Sequence, residues 1–195
     1  MQKIRTGIYG GSFNPIHNGH IAIANSMAEL ASLDEVWLVV SPQNPLKQSA
    51  DLLADRLRLD MTRLALTPYP KLKACDYEFG LPRPSYMWHT LQSMSRDFPE
   101  HEFTLLIGAD NWAVFDRWFH ADDIIANYPI AIYPRTGSPI DAASLPEGVR
   151  LYDTGLHDIS STEVRERIRS GEDVSGMIPD SIVALAEKYY KTKGL

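Results

Sequence analysis

Short apolar runs recur along the chain, and longer segments whose apolar residues follow helical spacing separate them. The short runs are rich in β-branched residues, as in VWLVV, and this continuous apolar character is typical of strands that are covered on both faces. They predict strands at residues 4–9, 36–41, 72–76, 103–107, 130–133 and 150–153.

The intervening segments predict helices from the spacing of their apolar residues. In GHIAIANSMAELASL these positions are Ile21, Ala24, Ala28 and Ala31. DLLADRLRLDMTRLAL repeats the pattern with Asp51 as a candidate N-cap, and SYMWHTLQSMSRDF and STEVRERIRSG are further helices. Strands that alternate with helices predict an α/β fold. We expect a Rossmann-like, doubly wound, mostly parallel sheet with helices on both faces, plus a small C-terminal helical segment.

Composition narrows the possible partners of the chain. Its 195 residues fit one domain, whose C-terminal helical part covers about residues 159–195. The net charge of −6 argues against a broad basic surface for nucleic acid, although a local group of donors can still hold phosphate. A single cysteine, Cys75, forms no internal disulfide, which indicates a reducing compartment.

Membrane and export signals are missing from the sequence. No apolar run approaches the roughly 20 residues that span a bilayer, and the chain begins with a strand rather than a signal peptide. We therefore expect a cytoplasmic protein with neither a membrane nor a nucleic-acid partner. The sequence does not determine whether the protein is a monomer or a homo-oligomer.

The segment GIYGGSFNPIHNGH joins the first predicted strand to the first predicted helix. Gly10 and Gly11 let the backbone turn sharply and approach a ligand closely. The helix is expected to begin near Asn18, with its free N–H groups and positive dipole end at the strand termini, where such sheets bind ligands. His17 and His20 add imidazole donors, and the combination favours a phosphate site.

Other roles for the two histidines are open at this stage. Each could make only structural hydrogen bonds, and together they could bind a metal ion. A histidine pair without another clustered Cys, Glu or Asp is weak evidence for zinc, so no metal site is predicted.

A second segment, ISSTEVR at residues 159–165, offers a comparable arrangement. Ser160 and Glu163 form a capping-box pattern that starts a helix. The helix N-terminus supplies N–H groups and hydroxyls, and Arg165 adds a forked cation. An ordinary capped helix with a solvated arginine would give the same pattern.

These two segments, in this order, resemble the H-x-G-H and I-S-S-T-x-x-R signatures of the nucleotidyltransferase α/β superfamily, which has distant relatives among the class I aminoacyl-tRNA synthetases. Further segments resemble the bacterial nicotinate mononucleotide adenylyltransferases. They are SPQNPLK, RPSYMWHTL, IGADNWAVFDRW, YPR and IPDSIVALAEKY. The resemblance covers nearly the whole chain.

The resemblance implies a role for each candidate residue. Those that would act on the phosphates as catalytic residues are His17, His20, Lys47 and Arg165. Those that would bind ATP are Gly10, Gly11, Ser12, Phe13, Gly108, Asp110, Ile159, Ser160 and Ser161. Those on the mononucleotide side would be Asn44, Tyr86, Thr90, Trp118 and Arg135. Among the last group, Tyr86, Thr90 and Trp118 would form the pyridine pocket, where an aromatic face stacks on a flat ring.

The implied reaction transfers AMP from ATP, with bound Mg²⁺, to the phosphate of nicotinic acid mononucleotide, giving deamido-NAD and pyrophosphate. The attacking phosphate is already an anion, so alignment and charge stabilisation matter more than a general base. Two alternatives stay open. One is adenylyl or cytidylyl transfer to another phosphorylated acceptor, such as phosphopantetheine, and the other is a non-catalytic nucleotide-binding module.

Four positions depart from the residues that are usual in this family. His89 replaces an acid and Met87 a threonine, while Ser12 and Asn14 replace a threonine–aspartate pair. Ser12 keeps the hydroxyl, and Asn14 still precedes a proline. We expect a preference for the acid mononucleotide over its amide, because the helix start in residues 85–91 offers N–H groups to a carboxylate and Thr90 adds a hydroxyl donor. His89, which removes a negative charge nearby, should not reduce this preference.

Overall fold

The structure is a computed structural model that describes residues 2–42 and 52–191. Its strands are Ile4–Gly11 (β1), Glu35–Val40 (β2), Leu72–Cys75 (β3), His101–Gly108 (β4), Ile130–Tyr133 (β5) and Val149–Leu151 (β6). They form one sheet in the order β3-β2-β1-β4-β5-β6, and every pair of neighbours is parallel. The predicted α/β class with a Rossmann-like sheet is confirmed, and each strand lies within two residues of its predicted ends.

Helices follow most of the strands. They are Asn18–Leu30 (α1), Asp55–Leu66 (α2), Met87–Asp97 (α3), Ala109–Trp112 (α4), Ala121–Asn127 (α5), Ser161–Ser170 (α6) and Asp180–Tyr190 (α7). Short 3₁₀ turns occur at Tyr77–Gly80, Phe115–Arg117 and Ala142–Ser144. In the part of the chain that the structure describes, none of the helices is long and apolar enough to cross a membrane.

The predicted start of α2 is wrong. The helix begins at Asp55, whereas Asp51, the expected N-cap, lies outside the described residues. The backbone of Leu53 has other partners: its N–H donates to Asn14 Oδ1 at 3.2 Å, and its C=O accepts from Arg58 Nε at 2.8 Å. Both backbone groups of Leu53 are therefore engaged by side chains before the helix begins.

Alternate residues of the central strands enter two separate cores, one on each face of the sheet. Ile8 and Tyr9 of β1 lie in opposite cores, as do Leu105 and Leu106 of β4. Helices α1, α2, α6 and α7 cover the face of Tyr9, and α3 and α5 cover the other. The C-terminal helical segment therefore packs beside the first two helices.

The strand order changes direction at β1. Strand β2 lies on one side of β1 and β4 on the other, so the crossovers on either side run in opposite directions along the sheet. In doubly wound sheets such a switch point leaves a crevice beyond the carboxyl ends of the strands. Here those ends are Gly10–Gly11 in β1 and Gly108 in β4, which places the first motif at the crevice.

Candidate active site

Two adjoining cavities open at the carboxyl ends of β1, β4 and β5. The first, here called the histidine cavity, contains His17 and His20 and has a volume of about 520 Å³. The second, the tryptophan cavity, contains Trp118 and has a volume of about 390 Å³. The residues that line both are Tyr9, Gly10, Gly11, Asn111 and Tyr133. They form a shared wall, and two ligands bound side by side would meet there.

Most of the predicted site residues line one of these cavities. Those in the histidine cavity are Gly10, Gly11, Ser12, Phe13, His17, His20, Asp110, Arg135, Ile159, Ser160, Ser161 and Arg165. Those in the tryptophan cavity are Gly10, Gly11, Tyr86, Gly108 and Trp118. Asn44 and Lys47 lie outside the described residues.

Arg135, Gly108 and Thr90 differ from the other predicted residues in the cavity that they line. Arg135, expected on the mononucleotide side, lies in the histidine cavity, with its guanidinium 5.3 Å from the ring centroid of Tyr133. Gly108, expected at the ATP ribose, lines the tryptophan cavity. Thr90 lines neither cavity, because its buried hydroxyl donates to Glu78 Oε1 at 2.9 Å behind the wall. The roles that the resemblance implies for these three residues stay predictions.

The two motif histidines form a reciprocal cap at the start of α1. His17 is the N-cap residue, and its Nδ1 accepts from the backbone N–H of His20 at 3.3 Å. His20 Nδ1 in turn accepts from the backbone N–H of His17 at 3.2 Å. This is a capping box in which imidazoles take both positions, and the rings stack with centroids 3.5 Å apart. The three-residue spacing of the motif is therefore the spacing of a helix cap.

The cap also determines which ring nitrogen carries the proton. A nitrogen that accepts a hydrogen bond is unprotonated, so each neutral ring carries its hydrogen on Nε2. Burial, with a smaller contribution from the charge of Arg135, lowers the pKa of His17 from 6.5 to about 3. His17 is therefore a neutral donor at physiological pH.

Gly19 lies inside this cap, where a Cβ would make tight contacts. A Cβ at this position would lie 3.1 Å from His17 Nδ1 and 3.4 Å from the Cβ of His157. Both neighbours are held in place, since His17 caps α1 and His157 Nε2 bonds to the carbonyl of Thr154 at 3.1 Å. The glycine of H-x-G-H thus lets the two imidazoles approach the helix end.

The second motif packs directly on the first. Ser160 caps α6 by accepting from the N–H of Glu163 at 3.1 Å, as predicted. Ser161 Oγ donates to the carbonyl of Pro15 at 2.9 Å, and Arg165 Nη1 donates to the carbonyl of Asn14 at 2.8 Å. These bonds bring the N-termini of α1 and α6 to the same cavity.

Two arginine side chains at the histidine cavity have Nε–H groups that a ligand could accept from. The Nε groups of Arg165 and Arg135 are buried and have no hydrogen-bond partner among the described residues. Arg135 Nε lies 3.7 Å from Asp110 Oδ1, an ion-pair distance that is too long for a hydrogen bond. Buried donors without partners are costly, so both groups are suited to an anionic ligand.

The tryptophan cavity is built from aromatic residues. Trp118 packs on Phe115 with ring centroids 4.9 Å apart, and its buried Nε1 has no hydrogen-bond partner in the described part of the chain. Tyr86, the N-cap residue of α3, packs against the half-exposed Phe119 with centroids 4.9 Å apart. Such a cavity suits a flat ring that carries a few polar groups.

Glu78 is a residue of this cavity that the sequence analysis missed. It is buried, lines the tryptophan cavity, and accepts from Thr90 through Oε1. Burial raises the pKa of this carboxyl, while Thr90, Ser41 and Ser85 partly oppose the rise. A lone Glu in DYEFG carries no pattern that marks it as buried.

Arg58 is a second residue that the sequence pattern does not single out. It is fully buried beneath the site and donates to the carbonyls of Ser12, Ser41 and Leu53, as well as to Asp55 Oδ1. Ser12 belongs to the histidine cavity and Ser41 to the tryptophan cavity. One guanidinium therefore ties together backbone segments from both cavities. Its place among the apolar residues of α2 follows only from tertiary packing.

Metal-ligating side chains are not grouped at the site. Within residues 2–42 and 52–191, no set of three or more His, Cys, Asp or Glu side chains could hold a metal ion. The histidine pair itself is engaged in the cap of α1 through both Nδ1 atoms.

Known proteins share this combination of fold and motifs. Residues 8–167 match the family described as cytidylyltransferase-like. The fold and the histidine cavity therefore define a nucleotidyltransferase of the cytidylyltransferase-like family, to which the chain belongs.

Curated relatives narrow the family further. A protein of Bacteroides fragilis named "Probable nicotinate-nucleotide adenylyltransferase" is 49% identical over 89% of this chain and 87% of its own length. A protein of the same name from Bacteroides thetaiotaomicron is 46% identical over 97% of this chain and 94% of its own length. Within the nucleotidyltransferases, the chain is a member of the nicotinate-nucleotide adenylyltransferase family.

Solved structures agree in fold. Nicotinic acid mononucleotide adenylyltransferase of Plasmodium falciparum, complexed with NaAD, superposes with a TM-score of 0.76 at 20% identity and covers 95% of this chain and 98% of that one. The same protein complexed with APC gives a TM-score of 0.74 at 19% identity. At this identity the likeness concerns the fold alone.

Proposed function

We propose that the protein transfers AMP from ATP to the phosphate of nicotinic acid mononucleotide, which yields deamido-NAD and pyrophosphate in NAD biosynthesis. The names of relatives up to 49% identical support this reaction. The observation that carries it is the pair of adjoining cavities, one rich in anion donors and the other aromatic, with a shared wall. Each cavity matches the chemistry of one substrate.

The triphosphate of ATP would occupy the histidine cavity. Its donors are the Nε2–H groups of His17 and His20, the guanidinium of Arg165 and the N-termini of α1 and α6. Helix N-termini and guanidinium groups both favour phosphate. Lys47, which lies outside the described residues, would approach the same phosphates, with Asn44 beside it on the mononucleotide side.

The pyridine ring would occupy the tryptophan cavity, against Trp118 and Tyr86. Its phosphate would then lie near the shared wall of Gly10 and Gly11, where it faces the α-phosphate of ATP. The mononucleotide phosphate attacks the α-phosphorus in line, a P–O bond forms, and the bond to pyrophosphate breaks with its electron pair. The protein aligns two anions and stabilises the charge on the leaving pyrophosphate.

Magnesium would enter bound to ATP, where it neutralises phosphate charge. The donor side chains of the histidine cavity would then stabilise the phosphate charge that remains. His17 contributes as a neutral donor because burial lowers its pKa to about 3, so no proton needs to leave it during the reaction.

A preference for the acid mononucleotide over its amide follows from the tryptophan cavity. The N-terminus of α3, just after Tyr86, offers backbone N–H groups to a carboxylate. The Thr90 hydroxyl, the second donor that the sequence suggested, donates to Glu78 Oε1 in the structure. We expect kcat/KM to be at least about tenfold higher for the acid mononucleotide than for its amide.

Pyrophosphate release with a panel of acceptors tests the proposal. ATP and Mg²⁺ are kept constant, and nicotinic acid mononucleotide, nicotinamide mononucleotide and phosphopantetheine are compared. We expect the acid mononucleotide to give the highest kcat/KM. A higher value for phosphopantetheine would assign the chain a different acceptor, and no release with any acceptor would indicate a non-catalytic nucleotide-binding module.

A further inference from the structure

Two tyrosines are the aromatic residues of the shared wall. Tyr9 in β1 and Tyr133 in β5 each line both cavities, and each side chain is only 3% exposed. Their rings meet edge to face with centroids 5.7 Å apart, and the Tyr133 hydroxyl donates to the Tyr9 oxygen at 3.3 Å. Two buried hydroxyls therefore lie where the two substrates would meet.

The hydrogen count of this pair leaves one donor unused. Two hydroxyls carry two hydrogens, and the bond between them uses one. Among the described residues, the hydroxyl hydrogen of Tyr9 has no acceptor. Other tyrosines differ, since Tyr190 donates to Asn14 Oδ1 at 2.7 Å and Tyr77 donates to Asp97 Oδ2 at 2.6 Å. A buried donor without an acceptor is unfavourable unless a ligand supplies one.

The surroundings of Tyr9 favour an anionic acceptor. Its ring lies edge-on to His20, with centroids 6.2 Å apart, on the side of the phosphate donors. The guanidinium of Arg135, which pairs with Asp110, lies over the ring of Tyr133. Burial raises the pKa of both tyrosines, so their hydroxyls stay protonated throughout the working pH range.

We propose that the Tyr9 hydroxyl donates a hydrogen bond to a phosphoryl oxygen of the ATP bound in the histidine cavity. Tyr9 is then a further binding residue for the reaction, and this assignment rests on the function proposed above. The bond from Tyr133 polarises the Tyr9 hydroxyl and strengthens it as a donor.

Tyr9→Phe removes this donor and keeps the ring. We expect kcat/KM for ATP to fall about 10- to 100-fold, the range of a hydrogen bond to a charged group. The melting temperature should change little, because the variant removes the Tyr9 hydrogen that lacks an acceptor but also removes the acceptor of the Tyr133 hydroxyl. Tyr133→Phe keeps the Tyr9 hydroxyl and should give the smaller loss. Tyr128→Phe, whose hydroxyl pairs with Ser95 away from both cavities, is the matched control.

A thermal-shift experiment identifies the acceptor without relying on turnover. Tripolyphosphate with Mg²⁺ and adenosine are tested separately as ligands of the wild type and of Tyr9→Phe. The proposal expects a smaller tripolyphosphate shift in the variant and an unchanged adenosine shift. A loss confined to adenosine would overturn it in favour of a ribose contact.

Three further results would also overturn the assignment. They are wild-type kinetics in Tyr9→Phe, a larger loss in Tyr133→Phe than in Tyr9→Phe, and a lowered melting temperature with equal losses for both substrates. A wild-type protein that is inactive with ATP and nicotinic acid mononucleotide would refute the proposed function instead. In that case the thermal shift with tripolyphosphate still tests the contact between Tyr9 and phosphate, because it does not depend on turnover.

Discussion

The double role of His17 can be separated by two substitutions. Its Nδ1 caps α1, and in our proposal its Nε2–H donates to the triphosphate. His17→Ala removes both functions. His17→Asn keeps a cap, since asparagine is among the most favourable N-cap residues, but its shorter amide does not reach the position of Nε2.

The two functions have different magnitudes. The cap bond from the His20 N–H is long, at 3.3 Å, so we expect its loss to lower the free energy of unfolding by about 0.5–1 kcal/mol. A donor matched to charge that develops in the transition state contributes about 3–4 kcal/mol, or roughly two to three decades in rate. The catalytic effect should therefore greatly exceed the structural one.

The assays are urea unfolding and pyrophosphate release on both variants. His17→Asn should unfold at nearly the wild-type urea concentration and still lose about 100- to 1,000-fold in turnover. His17→Ala should lose the same turnover and also some stability. Turnover within about threefold of the wild type in His17→Asn would refute the donor role and leave His17 as a cap alone.

Three further predictions follow from the site. His20→Ala should lower turnover by about two to three decades and change the mononucleotide KM little, and near-normal turnover in folded protein would contradict this. Trp118→Ala should raise the acceptor KM, which corresponds to a loss of about 1–3 kcal/mol in binding free energy, and should leave the KM for ATP little changed. Equal losses for both substrates, or unfolding of the variant, would indicate that Trp118 is only a core residue. Stability should fall as pH drops from about 6.5 to 3, because the unfolded state takes up the His17 proton first while the folded pKa is about 3. His17→Asn should lose less stability over that range, as urea unfolding at several pH values would show.

Local patterns were enough to predict the strands and the first motif. Parallel strands covered on both faces read as continuous apolar runs, so each strand lies within two residues of its predicted ends. Gly10, Gly11 and the helix start at Asn18 follow from chain order alone. The two motifs meet because both follow strands whose carboxyl ends lie at one edge of the sheet.

Side-chain direction and burial could not be predicted in this way. Arg135 and Thr90 were placed by analogy, but their contacts with Tyr133 and Glu78 depend on how neighbouring elements pack. Arg58 reads as an ordinary polar position of an amphipathic helix, although it is fully buried. The hydrogen bond that the Tyr9 hydroxyl accepts comes from Tyr133, more than a hundred places later in the chain, and no local pattern indicates it.

In the proposed reaction the mononucleotide phosphate attacks the α-phosphorus of ATP across the shared wall. Isotope tracing tests this step with ATP labelled with ³²P at the α-phosphate or, in a parallel reaction, at the γ-phosphate, together with nicotinic acid mononucleotide and Mg²⁺. We expect the α label to enter deamido-NAD and the γ label to leave in pyrophosphate. Label from the γ-phosphate in the mononucleotide product, or α label that remains in ATP, ADP or AMP, would contradict it.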